Sequence, residues 1–336
     1  MTQPADTPLL EVENLRVDFP IRTKLLRRAV GAVSAVHDVS FTLRAGETLG
    51  LVGESGSGKS TTALAVLGLV PATAGRVRFG GVDLTGLSER ELRGHRRRLQ
   101  VVLQNPASVL DARMTVGDIV EEPLRIHRVG DARSRRRRVG DLLGMVGLRS
   151  GDVERYPHEF SGGQQQRIGI ARALALEPSL LVLDEPVSAL DVSVQAQIIN
   201  LLSDLQEQLG LAYLFIAHDL AVVRHLCHQV AVMYWGSLVE YGDCADVYAA
   251  PSHPYTQALL SAVPIDDPSE RGRGRRVLTG DVPSSTTPPS GCRFRTRCWL
   301  AQDVCAHEEP LLEAVSGAAT THEAACHFAG APERVG

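Results

Sequence analysis

Lysine is almost missing from this 336-residue chain: of its 35 Lys and Arg residues only Lys24 and Lys59 are lysines. Long apolar runs are missing too, and none approaches the roughly 20 residues that a helix needs to cross a bilayer. The opening stretch MTQPADTPLL has no basic region followed by an apolar core, so no secretory signal is visible and a cytoplasmic chain is expected. Net charge is slight, −4, which gives no global reason to expect nucleic acid as a partner. Two local arginine clusters, 93–98 and 133–138, read as solvated helix faces in preference to a polyanion contact. None of the six cysteines forms a C-x2-C pair, the spacing of common zinc ribbons. In a cytoplasmic chain they do not suggest a disulfide framework either. Internal repeats are absent. What remains, 44% hydrophobic and 22% charged residues, suits a globular protein with a real core.

Against that scarcity, the position of Lys59 stands out. It lies in GESGSGKS, Gly53 to Ser60, which fits G-x-x-x-x-G-K-[ST]. Such a loop turns consecutive backbone N–H groups toward one anion, and the following helix adds its positive end. Gly53, Gly56 and Gly58 allow the backbone angles that this requires. Lys59 is a compact ammonium placed to reach outer phosphates, and Ser60 offers a hydroxyl to Mg2+. The flanks agree: Leu49 to Val52 reads as a buried strand and Thr61 to Leu69 as a helix.

Around this loop the chain predicts an α/β fold. Leu9 to Phe19 and Val36 to Leu43 alternate like half-buried strands, with a surface loop from Ile21 to Ser34. Arg76 to Leu84 reads as a strand pair turned at Gly80-Gly81. Ser88 and Glu91 form a capping box for a helix to Arg97. Leu99 to Leu103 is a strand delivering Gln104. Pro106 and the turn-like residues after it open a different region, and from Met114 to about Tyr156 the pattern is helical, polar and arginine-rich, an insertion without strand signals. Ser161 caps a helix through Leu176. Leu180 to Leu183 is a buried strand, Ser193 to Leu209 an amphipathic helix stopped by Gly210, and Leu211 to Ala217 a strand ending at His218. Gln229 to Tyr234 and Ser237 to Tyr241 form a last strand pair. Alternating strands and helices predict a mostly parallel sheet covered on both faces. Pro264 to Gly291 is rich in Pro, Gly, Ser, Thr and Arg and reads as a linker.

Asp184-Glu185 follows a buried strand. An Asp there can hold Mg2+ together with the Ser60 hydroxyl, and a Glu one residue on can polarise an attacking water. With FSGGQQQR at 160–167, and SALD at 188–191, the chain resembles ABC-type ATPases over residues 9 to 264. The resemblance implies a P-loop NTPase core with an antiparallel β subdomain, a helical insertion at about 106–160, a linker at 265–291 and a small Cys-bearing tail at 292–330. It also implies that ATP and Mg2+ are held by Gly53, Ser55, Gly56, Gly58, Lys59, Ser60 and Thr61, with Ser60, Gln104 and Asp184 around the metal. Phe19 would stack on the adenine. Glu185 would be the base, His218 the γ-phosphate contact, and Gln104 the link to a membrane partner. Ser161, Gly162, Gly163 and Gln164 would act on nucleotide bound to the opposite subunit, with Asp191 at the same interface.

RYPHEFSGGQQQRIGIARAL, EYGDCADVY and SHPYTQALLSAVP narrow the resemblance to ATPase subunits of bacterial dipeptide/oligopeptide importers, the second of the two such systems carry. The expected partners are a second ABC ATPase (in a heterodimer or a homodimer), two permease subunits and an extracytoplasmic solute-binding protein, with no nucleic acid. The subunit would sit on the inner face of the membrane. ASVLD at 107–111 departs from the subfamily's usual Ser-Leu-Asn-Pro and touches partner choice. Alternatives are a soluble ABC ATPase acting on nucleic acid or ribosomes, and an importer of nickel chelates or other small solutes. The first usually carries a long coiled coil or a second P-loop, and this chain has neither. Cys292, Cys298, Cys305 and Cys326 suit an iron–sulfur cluster or zinc by softness. GCRFRTRC resembles the subfamily extension that in some members holds a four-cysteine [4Fe–4S] cluster, and His307, His322 and His327 could substitute for a ligand, though four cysteines are already available. Cys227 and Cys244 read as small buried side chains.

Overall fold

A computed structural model of the protein describes residues 7–22, 29–262, 278, 289–315 and 321–330. Most of the 265–291 linker therefore lies outside the described residues, as does much of the expected 21–34 loop. The chain forms two units interleaved along the sequence. One comprises Met1–Leu9, Leu43–Thr48 and Phe79–Ile216, the other Leu10–Thr42, Leu49–Arg78 and Ala217–Gly336.

The first unit is built on three parallel strands. Leu180–Asp184 pairs with Leu99–Val102 on one side and with Ala212–Ala217 on the other, in register Val102↔Leu183 and Asp184↔Ile216. The last of these, AYLFIA, is buried at all positions, as expected of a parallel strand covered on both faces. The register brings the strand ends at Val102 and Asp184 side by side, so Gln104 and Glu185 emerge together. Helices Gly162–Leu174 and Val192–Leu209 follow, the latter stopped by Gly210 at φ 65 as its composition predicts.

The arginine-rich stretch folds as helices Val116–Ile126 and Ala132–Met145, capped by Thr115 and Asp131. Of the two arginine clusters, Arg96 pairs with Glu89 at 2.7 Å and Arg135 with Glu121 at 2.7 Å. Most of the others are exposed, in keeping with solvated faces. The capping box at Ser88 and Glu91 is present, on helix Glu89–Arg96.

In the second unit the strands Ala29–Leu43, Leu10–Arg22 and Ala74–Phe79 lie side by side in that order. The first two run well beyond their expected ends. A further set holds Thr48–Val52 parallel to Gln229–Tyr234, which pairs antiparallel with Ser237–Asp243. The helix after the phosphate loop spans Lys59–Val66, starting and stopping earlier than its apolar pattern suggests.

The cysteine-bearing tail differs from expectation. Its composition suggests a segment with little core, able to fold only around a metal. Instead, Glu323–Ala324 pairs with the edge of Ser237–Asp243, with Glu240 opposite Ala324, and Glu313–Ala314 adds a further strand. Phe294 is 1% exposed and packs against Tyr234, Tyr255 and His253, with ring centroids 5.1 to 5.6 Å apart. Backbone pairing and one large aromatic supply the anchorage that the composition hides. Beneath them Glu240 is fully buried. Its carboxylate accepts from the backbone N–H of Ser252 and His253 at 2.7 and 3.0 Å, and from His322 Nε2 at 2.7 Å. Cys227 and Cys244 are both buried, as expected, and burial pushes the Cys244 thiol up to about 11.

Candidate nucleotide site and the cysteine-bearing tail

The phosphate loop belongs to the second unit. Gly58 caps the helix at φ 104, and a Cβ there would stand 2.3 Å from the carbonyl oxygen of Ala35. A Cβ on Gly53 would meet the carbonyl of Met233 at 2.1 Å. Only glycine meets both demands, so the motif is set as much by neighbouring backbone as by the phosphate it is built for. Lys59 is buried, its Nζ donating to the carbonyls of Gly53 at 2.7 Å and Glu54 at 2.9 Å. Its ammonium thus lies inside the curve of the loop. Ser55 and Ser60 are exposed and Thr61 half-buried. Phe19, on strand Leu10–Arg22, keeps 43% of its surface exposed, as a stacking platform requires. His218 is exposed just past the strand Ala212–Ala217.

The first unit carries the acidic pair. Asp184 ends its strand, and Glu185 adopts φ 48, a left-handed angle that is costly for a residue with a side chain. Its N–H is held by the carbonyl of Ile216 at 3.0 Å. Gln104 Nε2 donates to Glu185 Oε2 at 2.7 Å, and Ser188 Oγ donates to the Glu185 carbonyl at 3.1 Å. Three sequence-predicted elements therefore meet at Glu185: the strand-end Gln, the acidic pair and the first residue of SALD. The strained backbone at Glu185 and the part of Ser188 leave no trace in the sequence pattern.

Ser161 caps helix Gly162–Leu174 in a reciprocal box with Gln164, whose Oε1 accepts from the Ser161 N–H at 3.0 Å. Ser161, Gly162 and Gln164 are exposed, whereas Gly163 is buried. A Cβ on Gly163 would strike Val194 Cγ1 at 2.4 Å, so this glycine lets two helices approach. Asp191 and Val192, which is 81% exposed, begin the second of those helices.

In the tail, Cys292, Cys298 and Cys326 are half-buried, and burial raises all three thiols, Cys298 to about 12. Neighbouring tail thiols, Cys305 among them, raise these three further. The N–H two residues on points at the sulfur in two cases, Leu300 to Cys298 and Phe328 to Cys326, each at 3.4 Å. Such N–H···S bonds stabilise a bound thiolate. Among the described residues no group of three His, Cys, Asp or Glu side chains is drawn together tightly enough for one metal ion. The three histidines are engaged elsewhere: His322 with Glu240, His307 with the Asp303 carbonyl and His327 with the Glu308 carbonyl.

Among the described residues no helix is long and apolar enough to cross a membrane. Residues 36–188 match the family described as ABC transporter, and residues 239–305 the family described as Oligopeptide/dipeptide transporter, C-terminal region. The oligopeptide transport ATP-binding protein AppF of Bacillus subtilis (strain 168) is 49% identical over 98% of this chain and 99% of its own. The oligopeptide transport ATP-binding protein OppF of Salmonella typhimurium (strain LT2) is 52% identical over 91% of this chain and 92% of its own. The ATP-binding cassette MJ0796, solved as a dimer in a post-hydrolysis state with ADP and Pi, matches at TM-score 0.62. It is 28% identical and covers 70% of this chain and 98% of its own. With the phosphate loop, the acidic pair and the SGGQ helix cap in place, the chain belongs to the ABC transporter ATP-binding proteins of the oligopeptide/dipeptide transporter type.

Proposed function

We propose that the protein is the ATP-hydrolysing subunit of an importer for peptides, working on the inner face of the membrane through two separate permease chains supplied by a solute-binding protein. The observation that carries this is the pairing of a phosphate cradle around Lys59 with the Gln104–Glu185 contact, on a chain related over nearly its whole length to peptide-transport ATPases. Residues 9–264 would be the nucleotide-binding domain, with 292–330 as its extension.

In this reading the backbone of Gly53 to Thr61 binds the phosphates and Lys59 turns from the loop carbonyls to the outer phosphate oxygens. Ser60, Asp184 and Gln104 would hold Mg2+, which supplies charge neutralisation on the phosphates. Glu185 orients the attacking water and accepts its proton, and Gln104 holds the carboxylate in place until then. His218 contacts the γ-phosphate, and Phe19 stacks on the adenine. Ser161 to Gln164 and Asp191 serve the nucleotide of a second ATPase subunit, so ATP closes a dimer. Beside Gln104 an open groove exposes Leu103, Val109 and Ile126, an apolar surface suited to a permease segment.

On the resemblance of GCRFRTRC to the extension of the importer subfamily, and with N–H···S bonds at Cys298 and Cys326, the four tail cysteines would hold a [4Fe–4S] cluster. Such a cluster would cross-link segments of the tail that share little core.

The test is Glu185→Gln. Turnover should fall on the order of a hundredfold or more while ATP binding persists and a dimer accumulates. Near-normal turnover removes Glu185 from its role. Reconstitution with the two permeases should raise ATPase activity, and stimulation by DNA or ribosomes instead would overturn the importer.

A further inference from the structure

The second position of the phosphate-loop motif is free in the chemistry described so far: phosphates are met by backbone N–H groups and by Lys59, and Glu54 has no part in that. Yet Glu54 is firmly held from two sides. Arg297 Nη1 and Nη2 donate to its two carboxylate oxygens at 2.7 and 3.0 Å, a fork-on-fork pair bridging 243 residues of sequence. The arginine side chain is only 6% exposed and lies over the Tyr234 ring. From the other side, the backbone N–H of Glu54 donates to the Tyr255 hydroxyl at 2.7 Å. A second arginine of the same segment grips the loop indirectly. Arg293 Nη1 donates to the carbonyl of Trp235 at 3.0 Å, and the next residue, Gly236, donates its N–H to the carbonyl of Ser57 at 2.9 Å. Each arginine adjoins a tail cysteine in the chain, Arg293 following Cys292 and Arg297 preceding Cys298.

We propose that Arg297 is a positioning residue for ATP binding: through Glu54 it holds the phosphate loop in its cradle shape, and so makes nucleotide affinity depend on how the cysteine-bearing tail is seated. The physical need is visible in the loop. Lys59 Nζ places two hydrogen bonds on the carbonyls of Gly53 and Glu54. When its ammonium turns to a phosphate, the carbonyls of Gly53 and Glu54 lose that donor, the Glu54 carbonyl keeping the Ser57 N–H at 3.1 Å, and a hold on residue 54 from outside the loop helps preserve its curvature. Arg297 and Tyr255 do so at the carboxylate and at the N–H. A binding site held in shape before the ligand arrives does not have to order itself on binding. Anything that fixes Cys292 and Cys298 fixes the two arginines beside them, which links the tail to the loop without any contact between tail and nucleotide.

This rests on the reading of the loop as the ATP site, and the experiment separates the two. Full-length protein is titrated with ATP and Mg2+ by calorimetry, and ATPase activity is measured over a range of ATP. Arg297→Ala should weaken ATP binding about tenfold, equivalent to about 1.4 kcal/mol, and raise KM while kcat stays within about twofold. Glu54→Gln should do the same, and the double variant should be no worse than either single one. Arg297→Lys, which keeps the charge without the fork, should recover part of the loss. If Arg297→Ala does not fold, Glu54→Gln and Arg297→Lys carry the test. A wild-type chain that fails to bind ATP sinks the nucleotide reading. A wild-type chain that binds, with variants of equal affinity and lowered Tm, reduces the pair to a structural tie and overturns the proposal.

Discussion

His253 sets a measurable pH limit on the folded chain. The side chain is 1% exposed, and its Nδ1 accepts the backbone N–H of Tyr255 at 3.0 Å, which requires a neutral ring. Burial pushes its pKa down from 6.5 to about 4, with the nearby Glu240 carboxylate opposing part of that. In the unfolded chain the same histidine charges below 6.5. The unfolded state therefore binds more protons between pH 6.5 and 4, so stability is complete above 6.5 and is lost as pH falls through that window. At about 1.4 kcal/mol for each tenfold in proton binding, the loss by pH 5 is about 2 kcal/mol, and by pH 4 about 3 kcal/mol. Against a typical total of about 5–15 kcal/mol this is large. Urea unfolding at pH 7 and pH 5, followed by tryptophan fluorescence, measures it. His253→Asn keeps an acceptor for the Tyr255 N–H but has no proton to take up, so its difference between the two pH values should be smaller by about 2 kcal/mol. An identical pH dependence in variant and wild type would refute the argument, since every other titratable group is common to both.

Two further outcomes are expected. Phe294→Ala removes the ring that packs on Tyr234, Tyr255 and His253, and should cost about 3–5 kcal/mol in denaturant titrations; a cost under 1 kcal/mol would mean that the tail is not anchored by this contact. Protein purified without oxygen should be brown and contain iron and sulfide in equal amounts, and iron-free protein with all four tail thiols intact would defeat the cluster assignment.

Much of the site was legible because its parts are local. The GESGSGKS loop, the Ser161–Gln164 cap and the acidic pair at a strand end each depend on a few consecutive residues, and the Gly58 and Ser161 conformations are those that the residue types favour. Strand and helix order followed from apolar runs of the right length. Boundaries moved where pairing partners decide them: Leu10–Arg22 and Ala29–Leu43 extend each other as neighbours in one sheet, beyond the alternation visible in either alone. The anchorage of the tail was not legible because a single phenylalanine and two short strands make no pattern in composition.

By itself, then, the sequence determined that this chain folds as an α/β protein with a phosphate-loop motif between a strand and a helix, since the glycines of the loop and the cap residues of the helices act over a few neighbouring positions. Tertiary structure alone decided what holds those residues still. The Arg297–Glu54 pair, the buried Glu240 shared by Ser252, His253 and His322, and the strained Glu185 steadied by Gln104 join segments up to 243 positions apart. A charge or a hydroxyl carries no mark of its distant partner until burial removes the water that would otherwise satisfy it.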